Sequence, residues 1–227
     1  DEMVLYIQGY IWEKMLPPVT RRNQLPTHII SAKQSISLAG LGAKSFDDGI
    51  KAIINLHQLM SERVNGATLT PWTLRRIQNE VLLDFSNRYF CSPKDAMGEE
   101  AIEFSVEIDP FGILKNQMEG YIHTTDNKVL YYERSTPDEH GKSHTLLIQP
   151  AAIQIGHMVE LQVSFCAVPI SKGKYRFLHK LRSICILDRR DFNQVLVERI
   201  VHPQLSPTRT VKCKIGYDSD SDADMEE

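Results

Sequence analysis

The chain has 227 residues, enough for one large domain that buries a core without disulfide or metal staples. Its 42% hydrophobic and 24% charged residues exclude a disordered or fibrous protein, and no apolar run reaches the ~18 residues that span a bilayer. The net charge of −3 is unevenly spread: Asp218–Glu227 holds six acids and no base, leaving 26 bases against 23 acids in a body that is only mildly basic and demands no nucleic-acid partner by composition.

Residues 1–44 read as an N-terminal arm. Leu5, Tyr6, Ile7, Tyr10, Ile11 and Trp12 make an apolar opening, a short helix or strand, which Pro17-Pro18 breaks. An α+β domain is expected over 45–202. Its first helix, about 45–65, starts from Ser45 as N-cap and carries Phe46, Ile50, Ile53, Leu56, Met60 and Val64 on one face. Asn65-Gly66 stops it. Thr70-Pro71 has the form of a cap and first helical residue. Leu74, Ile77, Val81 and Leu82 then predict a second helix over about 71–85, antiparallel to the first.

The period changes to two at Ile102, Phe104, Val106 and Ile108, which predicts a half-buried strand. Tyr121–Thr124 and Val129–Glu133 flank Thr125–Lys128 as a predicted hairpin. Residues 135–143 read as a loop and Leu146–Gln149 as a short strand.

The main hairpin spans Val159–Leu187. A three-residue loop, Ser171-Lys172-Gly173, pairs Ile170 with Lys174, Phe165 with His179 and Val163 with Leu181. It gathers Val163, Phe165, Phe177 and Leu181 on one face, with Gly173 supplying the left-handed residue. A one-residue slip would turn every side chain over. On the opposite face Lys174, Arg176, Lys180 and Arg182 form a basic stripe, a candidate nucleic-acid surface. Tyr175 and Phe177 point away from it, so the stripe has no stacking platform. Val195–Val201 suggests a last strand or short helix. Residues 203–227 are a linker and a tail disordered by composition. Within the tail Ser219 and Ser221, each with an acid three residues on, are phosphorylation candidates.

Other chemistry is thin. Gly40-Leu41-Gly42-Ala43-Lys44-Ser45 resembles a phosphate loop but has Ala43 and Leu38 where that loop needs glycine. His140, His144, His157 and Asp138 have metal-ligand chemistry without a scaffold to converge them, and no metal site is assigned. His123 and Asp126 could do acid–base work near a turn. No cofactor is implied. Cys91, Cys166, Cys185 and Cys213 lack C-x-x-C spacing and there is no N-x-S/T site. Both lean towards an intracellular chain, cytoplasmic or nuclear.

The runs Gly120-Tyr121-Ile122-His123-Thr124-Thr125-Asp126-Asn127-Lys128-Val129-Leu130-Tyr131-Tyr132-Glu133, Ile155–Phe165 and Leu181–Asp188 resemble a large family of uncharacterised proteins from mushroom-forming fungi. The resemblance covers about residues 80–190. At His157 this chain departs from the family's G-D-I-V-E run. The resemblance implies one folded unit and carries over no catalytic residue.

The expected fold is therefore α+β: a helical hairpin, then an antiparallel β-sheet that closes as a small OB-like barrel or stacks as a sandwich. The expected function is a non-enzymatic interaction module with a protein partner. The alternatives are nucleic-acid binding through the hairpin's basic face and an enzyme with a site near His123 and Asp126. No membrane association is expected.

Overall fold

The structure, a computed structural model, describes residues 4–64, 67–77, 80–96, 98–118, 120–135, 143–171, 173–190 and 194. Among the described residues nine strands form one mixed sheet, and five of them close into a barrel. The staves are β1 (Leu5–Met15), β2 (Lys33–Ala39), β5 (Glu80–Arg88), β8 (Met158–Ser171) and β9 (Lys174–Asp188). β1 serves two neighbours. Its first half pairs with β8, its second half with β2, and Tyr10 faces both Met158 and Ala39. β2 pairs with β5, and β8 with β9, all antiparallel. A parallel bridge between Ser86 of β5 and Lys180 of β9 completes the ring. Thus residues 5–15 and 33–39, read from the sequence as part of an arm, are two of the five staves.

The remaining strands extend this ring. β3 (Thr68–Leu69) runs parallel to the start of β9, and β4 (Arg75–Ile77) folds back on β5. β6 (Leu130–Arg134) runs parallel to the end of β9 and pairs on its other side with β7 (Thr145–Leu147).

Among the described residues there is one α-helix, α1 (Lys44–Arg63), not a helical hairpin. Its expected face is right: Phe46, Ile50 and Ile53 are buried, and Leu56 and Met60 pack on the core. Its start is not capped by Ser45. Ala43 holds the N-cap position without a side-chain bond. A Cβ on Gly40 would lie 2.4 Å from the Phe46 ring, so this glycine of the phosphate-loop look-alike answers to helix–barrel packing. No described helix is long and apolar enough to cross a membrane.

The predicted second helix is instead β4 and β5. Leu83, Phe85 and Asn87 face inward opposite Leu38, Ile36 and Gln34 of β2. Pairing with a partner strand outweighs a helical spacing that was only local. The predicted strand over 102–108 is irregular backbone with a turn, anchored by Ile102 N–H on the His123 carbonyl (2.8 Å). Nor is 121–133 a hairpin. Ile122 bridges Cys91, Thr125–Asn127 is a 3-10 turn, and only the second segment becomes a strand.

The β8–β9 hairpin is where it was expected, with Val163 opposite Leu181 and Phe165 opposite His179. Two details differ. Ser171 pairs with Lys174, which leaves a two-residue loop, and an extra residue at Ile170 restores the expected register beyond it. Gly173 has φ +73°, as a left-handed loop residue should. Farther along, a bulge adds Arg182 and shifts the phase. Leu181 therefore faces the barrel interior, and so do Ile184 and Ile186 in place of Ser183 and Cys185, which are buried on the other face.

The main core fills the barrel with residues such as Ile11, Ile36, Leu38, Leu161, Val163 and Leu181, and α1 caps one end. A smaller cluster of Val19, Leu25, Ala32, Tyr89, Phe90 and Leu114 packs at the other end, under the β1–β2 connection.

Candidate nucleic-acid interface

Strand alternation decides which β2 and β5 side chains face outward. Ile36, Leu38, Leu83 and Phe85 go in, so Lys33, Ser35 and Ser37 come out opposite Arg88, Ser86 and Asp84. Lys33 and Arg88 are direct cross-strand partners and both are exposed. Directly opposed like charges are mildly unfavourable at an exposed strand end. The other end of the face is acidic. Arg75 bonds Asp84 (2.7 Å), Glu13 (2.9 Å) and Ser37 (2.7 Å). Bonds first to Glu13 and then to Asp84 push its pKa up, so it stays fully charged yet outnumbered by its two acids.

Of the four bases predicted from the hairpin, Lys174 and Arg176 are exposed near its tip. Lys180 and Arg182 have another occupation. Both bind the carboxylate of Asp126, Arg182 at 2.8 Å, with side chains only 20% and 18% exposed. Arg182 also donates to the Asp126 carbonyl at 2.9 Å, as does Asn87. Gln34 donates to the Asn127 carbonyl at 3.2 Å. The reason is topological. β5 and β9 meet at a single bridge and then diverge, because β9 goes on to pair with β6. The Thr125–Asn127 turn fills that opening, and Lys180 and Arg182 hold it there. The Glu99 carboxylate accepts from Thr125 Oγ1 (3.1 Å) and the Asp126 N–H (3.3 Å) of the same turn.

Past Met15, the β1–β2 connection contributes exposed Arg21 and Arg22, the latter also donating to the carbonyls of Leu25 and Pro26 at 3.2 Å. Sequence reasoning missed Lys33 and Arg88. Each is one base at a strand end, and only the β2–β5 register makes them a pair.

His123 and Asp126 do not converge. Asp126 faces the two bases, whereas His123 is buried and bonds through Nδ1–H to the Tyr89 carbonyl (2.8 Å). Burial pushes the His123 pKa down, so the ring is neutral, with Nδ1 protonated and Nε2 an acceptor. The ring stacks on Phe104 with centroids 4.0 Å apart. It lines a cleft of 510 Å³ between the barrel end and residues 103–108, whose opposite wall comes from β6 and residues 147–150.

His144 is exposed and donates its backbone N–H to Ser135, while His157 is buried. His140, Asp138, Lys172, Cys213, Ser219, Ser221 and the predicted element at 195–201 lie outside the described residues. Cys91, Cys166 and Cys185 are unbridged thiols, and the described residues contain no cluster of metal-ligating side chains.

The chain matches no protein-family model and no curated protein. Among solved structures it is similar to the crystal structure of gp2.5, a single-stranded DNA binding protein encoded by bacteriophage T7. The TM-score is 0.41 and the identity 9%, over 83% of this chain and 87% of that one. A likeness this distant fixes neither fold nor function here.

Proposed function

We propose that this chain is a nucleic-acid-binding module: an OB-type barrel that holds a single strand across the outer face of β2 and β5. The observation that carries the reading is the order of the staves. In chain order they are first, second, third, fourth and fifth, and around the ring they run first, second, third, fifth, fourth, with the third and fifth parallel. This is the order of OB barrels, whose second and third strands and flanking loops take oligonucleotides or oligosaccharides. Order alone assigns no ligand. The charges favour the polyanion: Lys33 and Arg88 repel each other until an anion sits between them, Arg21 and Arg22 stand at one flank, and Lys174 and Arg176 at the other.

The test is fluorescence anisotropy of a labelled single-stranded oligonucleotide over a salt series. Four phosphate contacts, at Lys33, Arg88, Lys174 and Arg176, give log K against log salt a slope of about −3, and Lys33→Ala with Arg88→Ala makes it shallower by about 1.4. Absence of binding at low salt would end the proposal.

The protein partner expected from the sequence has no observation behind it.

A further inference from the structure

We propose that Phe111 is a base-stacking residue, whose ring stands clear of the barrel beside Arg21 and Arg22 as a platform for one nucleobase of the bound strand. This role rests on the nucleic-acid reading and adds to it the stacking group that the hairpin's basic face lacks. Proteins that hold single strands combine a basic path for the phosphates with aromatic rings for the bases. Among the described residues two aromatic side chains are largely exposed, Tyr6 at 63% and Phe111 at 70%. Tyr6 lies on the first half of β1 opposite Gln162 of β8, and its hydroxyl accepts from Gln162 at 3.1 Å. The next outward pair on those strands is Gln8 with Glu160, an acid that Arg134 already holds (2.7 Å).

Phe111 has different neighbours. Its turn, Asp109–Gly112, packs under the β1–β2 connection. Val19 donates its N–H to the Ile108 carbonyl (2.9 Å), and Leu114 joins Val19 and Leu25 in the smaller core cluster. Arg21 and Arg22 come two and three residues after Val19. Both are exposed, and neither pairs with an acid among the described residues. The β2–β5 ladder runs on into the same cluster: one step beyond Lys33 and Arg88, Tyr89 donates its N–H to the Ala32 carbonyl (3.0 Å). Ring, arginines and the Lys33–Arg88 pair thus share one end of the barrel. Lys115 is answered by Glu103 (2.9 Å) and adds no net charge there.

The backbone holds the ring out. Ile108 and Asp109 both donate N–H to the Ser105 carbonyl (3.0 Å), and Gly112 donates to the Asp109 carbonyl (3.3 Å). Asp109 is buried, and its Oδ2 accepts the Lys115 N–H (2.9 Å). Leu114 takes the inward position, so the turn cannot bury Phe111 without giving up that packing. A ring on a backbone already ordered meets a base at little further entropic cost. Phenylalanine has no hydrogen-bonding group in its side chain, so the contact tolerates every base.

The experiment measures anisotropy of labelled oligo(dT) and of an abasic oligomer of equal length, each over a salt series. Phe111→Ala should weaken oligo(dT) at least about fivefold, the low end for one stacked base. It should leave the abasic affinity and the salt slope unchanged, because no phosphate contact is lost. Lys33→Ala with Arg88→Ala should instead make the slope shallower for both oligomers. Phe111→Tyr, which keeps the ring, should bind as the native chain does, and Phe111→Leu, which keeps only an apolar side chain, should match Phe111→Ala. The Tyr and Leu variants decide the matter even if the Ala variant folds poorly. Oligo(dT) binding unchanged by Phe111→Ala, an equal loss with the abasic oligomer, or native binding by Phe111→Leu overturns the stacking role and leaves the barrel surface standing. If the native chain binds neither oligomer at low salt, the nucleic-acid reading falls and the role of Phe111 with it.

Discussion

Replacing Asp126 by Ala removes the carboxylate that Lys180 and Arg182 share at the seam between β5 and β9. The two bases, 20% and 18% exposed, would lose that partner while too covered to recover full hydration. An exposed ion pair is worth about 0.2–1 kcal/mol, and stranding a buried charge costs about 3–5 kcal/mol. Asp126 is itself 39% exposed, which argues for the lower half of that span. The expected loss is about 2 kcal/mol, or a Tm lower by roughly 4–8 °C for a chain of this size. Urea melts of D126A, K180M and the double variant measure it as a cycle, with K180M recovering part of the D126A loss. A loss under about 0.5 kcal/mol with no coupling would refute the seam, since that is ordinary surface behaviour. The pH dependence gives an independent reading. Burial pushes the Asp126 carboxyl up, but the bonds and charges of Lys180 and then Arg182 outweigh this and hold it below the usual carboxylate range. Its contribution is thus complete above about pH 4, the unfolded value, and is lost as pH falls through the depressed folded value. D126N should lack that acid-side loss.

Three further outcomes are expected. Gly40→Ala drives a Cβ to 2.4–2.8 Å from Phe46 Cδ1, Cγ and Cβ, close to the helix backbone, and should cost ~2 kcal/mol in a thermal melt; an unchanged Tm would mean that helix and barrel slide freely. Gly173→Ala, at φ +73°, should lose roughly 1 kcal/mol, read from denaturant midpoints at constant m-value. His179 sits among Trp72, Phe85, Phe165 and Phe177, donates Nδ1–H to the Asp84 carbonyl (3.2 Å) and leaves Nε2 buried without a partner. Burial pushes its pKa down to about 4, so the unfolded chain takes up the proton first and stability falls as pH drops from about 6.5 towards 4. His179→Phe should flatten the urea midpoint over that window, and a slope that survives the substitution assigns it to another group.

The sequence by itself determined the features whose cause is local. Alternation along Val159–Ala167 and Tyr175–Leu181, with one glycine able to take a left-handed conformation, was enough for a hairpin and for its register where Val163–Ala167 faces Phe177–Leu181. A 3.6-residue apolar repeat was enough for α1 and its buried face, though not for its cap. The rest depended on partners remote in the chain. Residues 75–88 satisfy a helical spacing as well as a strand spacing, and only β2, more than forty residues earlier, selects the strand. Residues 102–108 alternate like a strand, yet the carbonyl that anchors Ile102 belongs to His123 and no described strand pairs with them. Lys33 and Arg88 are ordinary surface bases until β2 and β5 pair. Lys180 and Arg182 looked like one basic stripe until the bulge at Arg182 and the divergence of β9 from β5 gave them Asp126 to hold. Periodicity reports which face of an element is apolar. It carries no record of which strand lies beside which, and in a closed barrel that adjacency decides where charges meet.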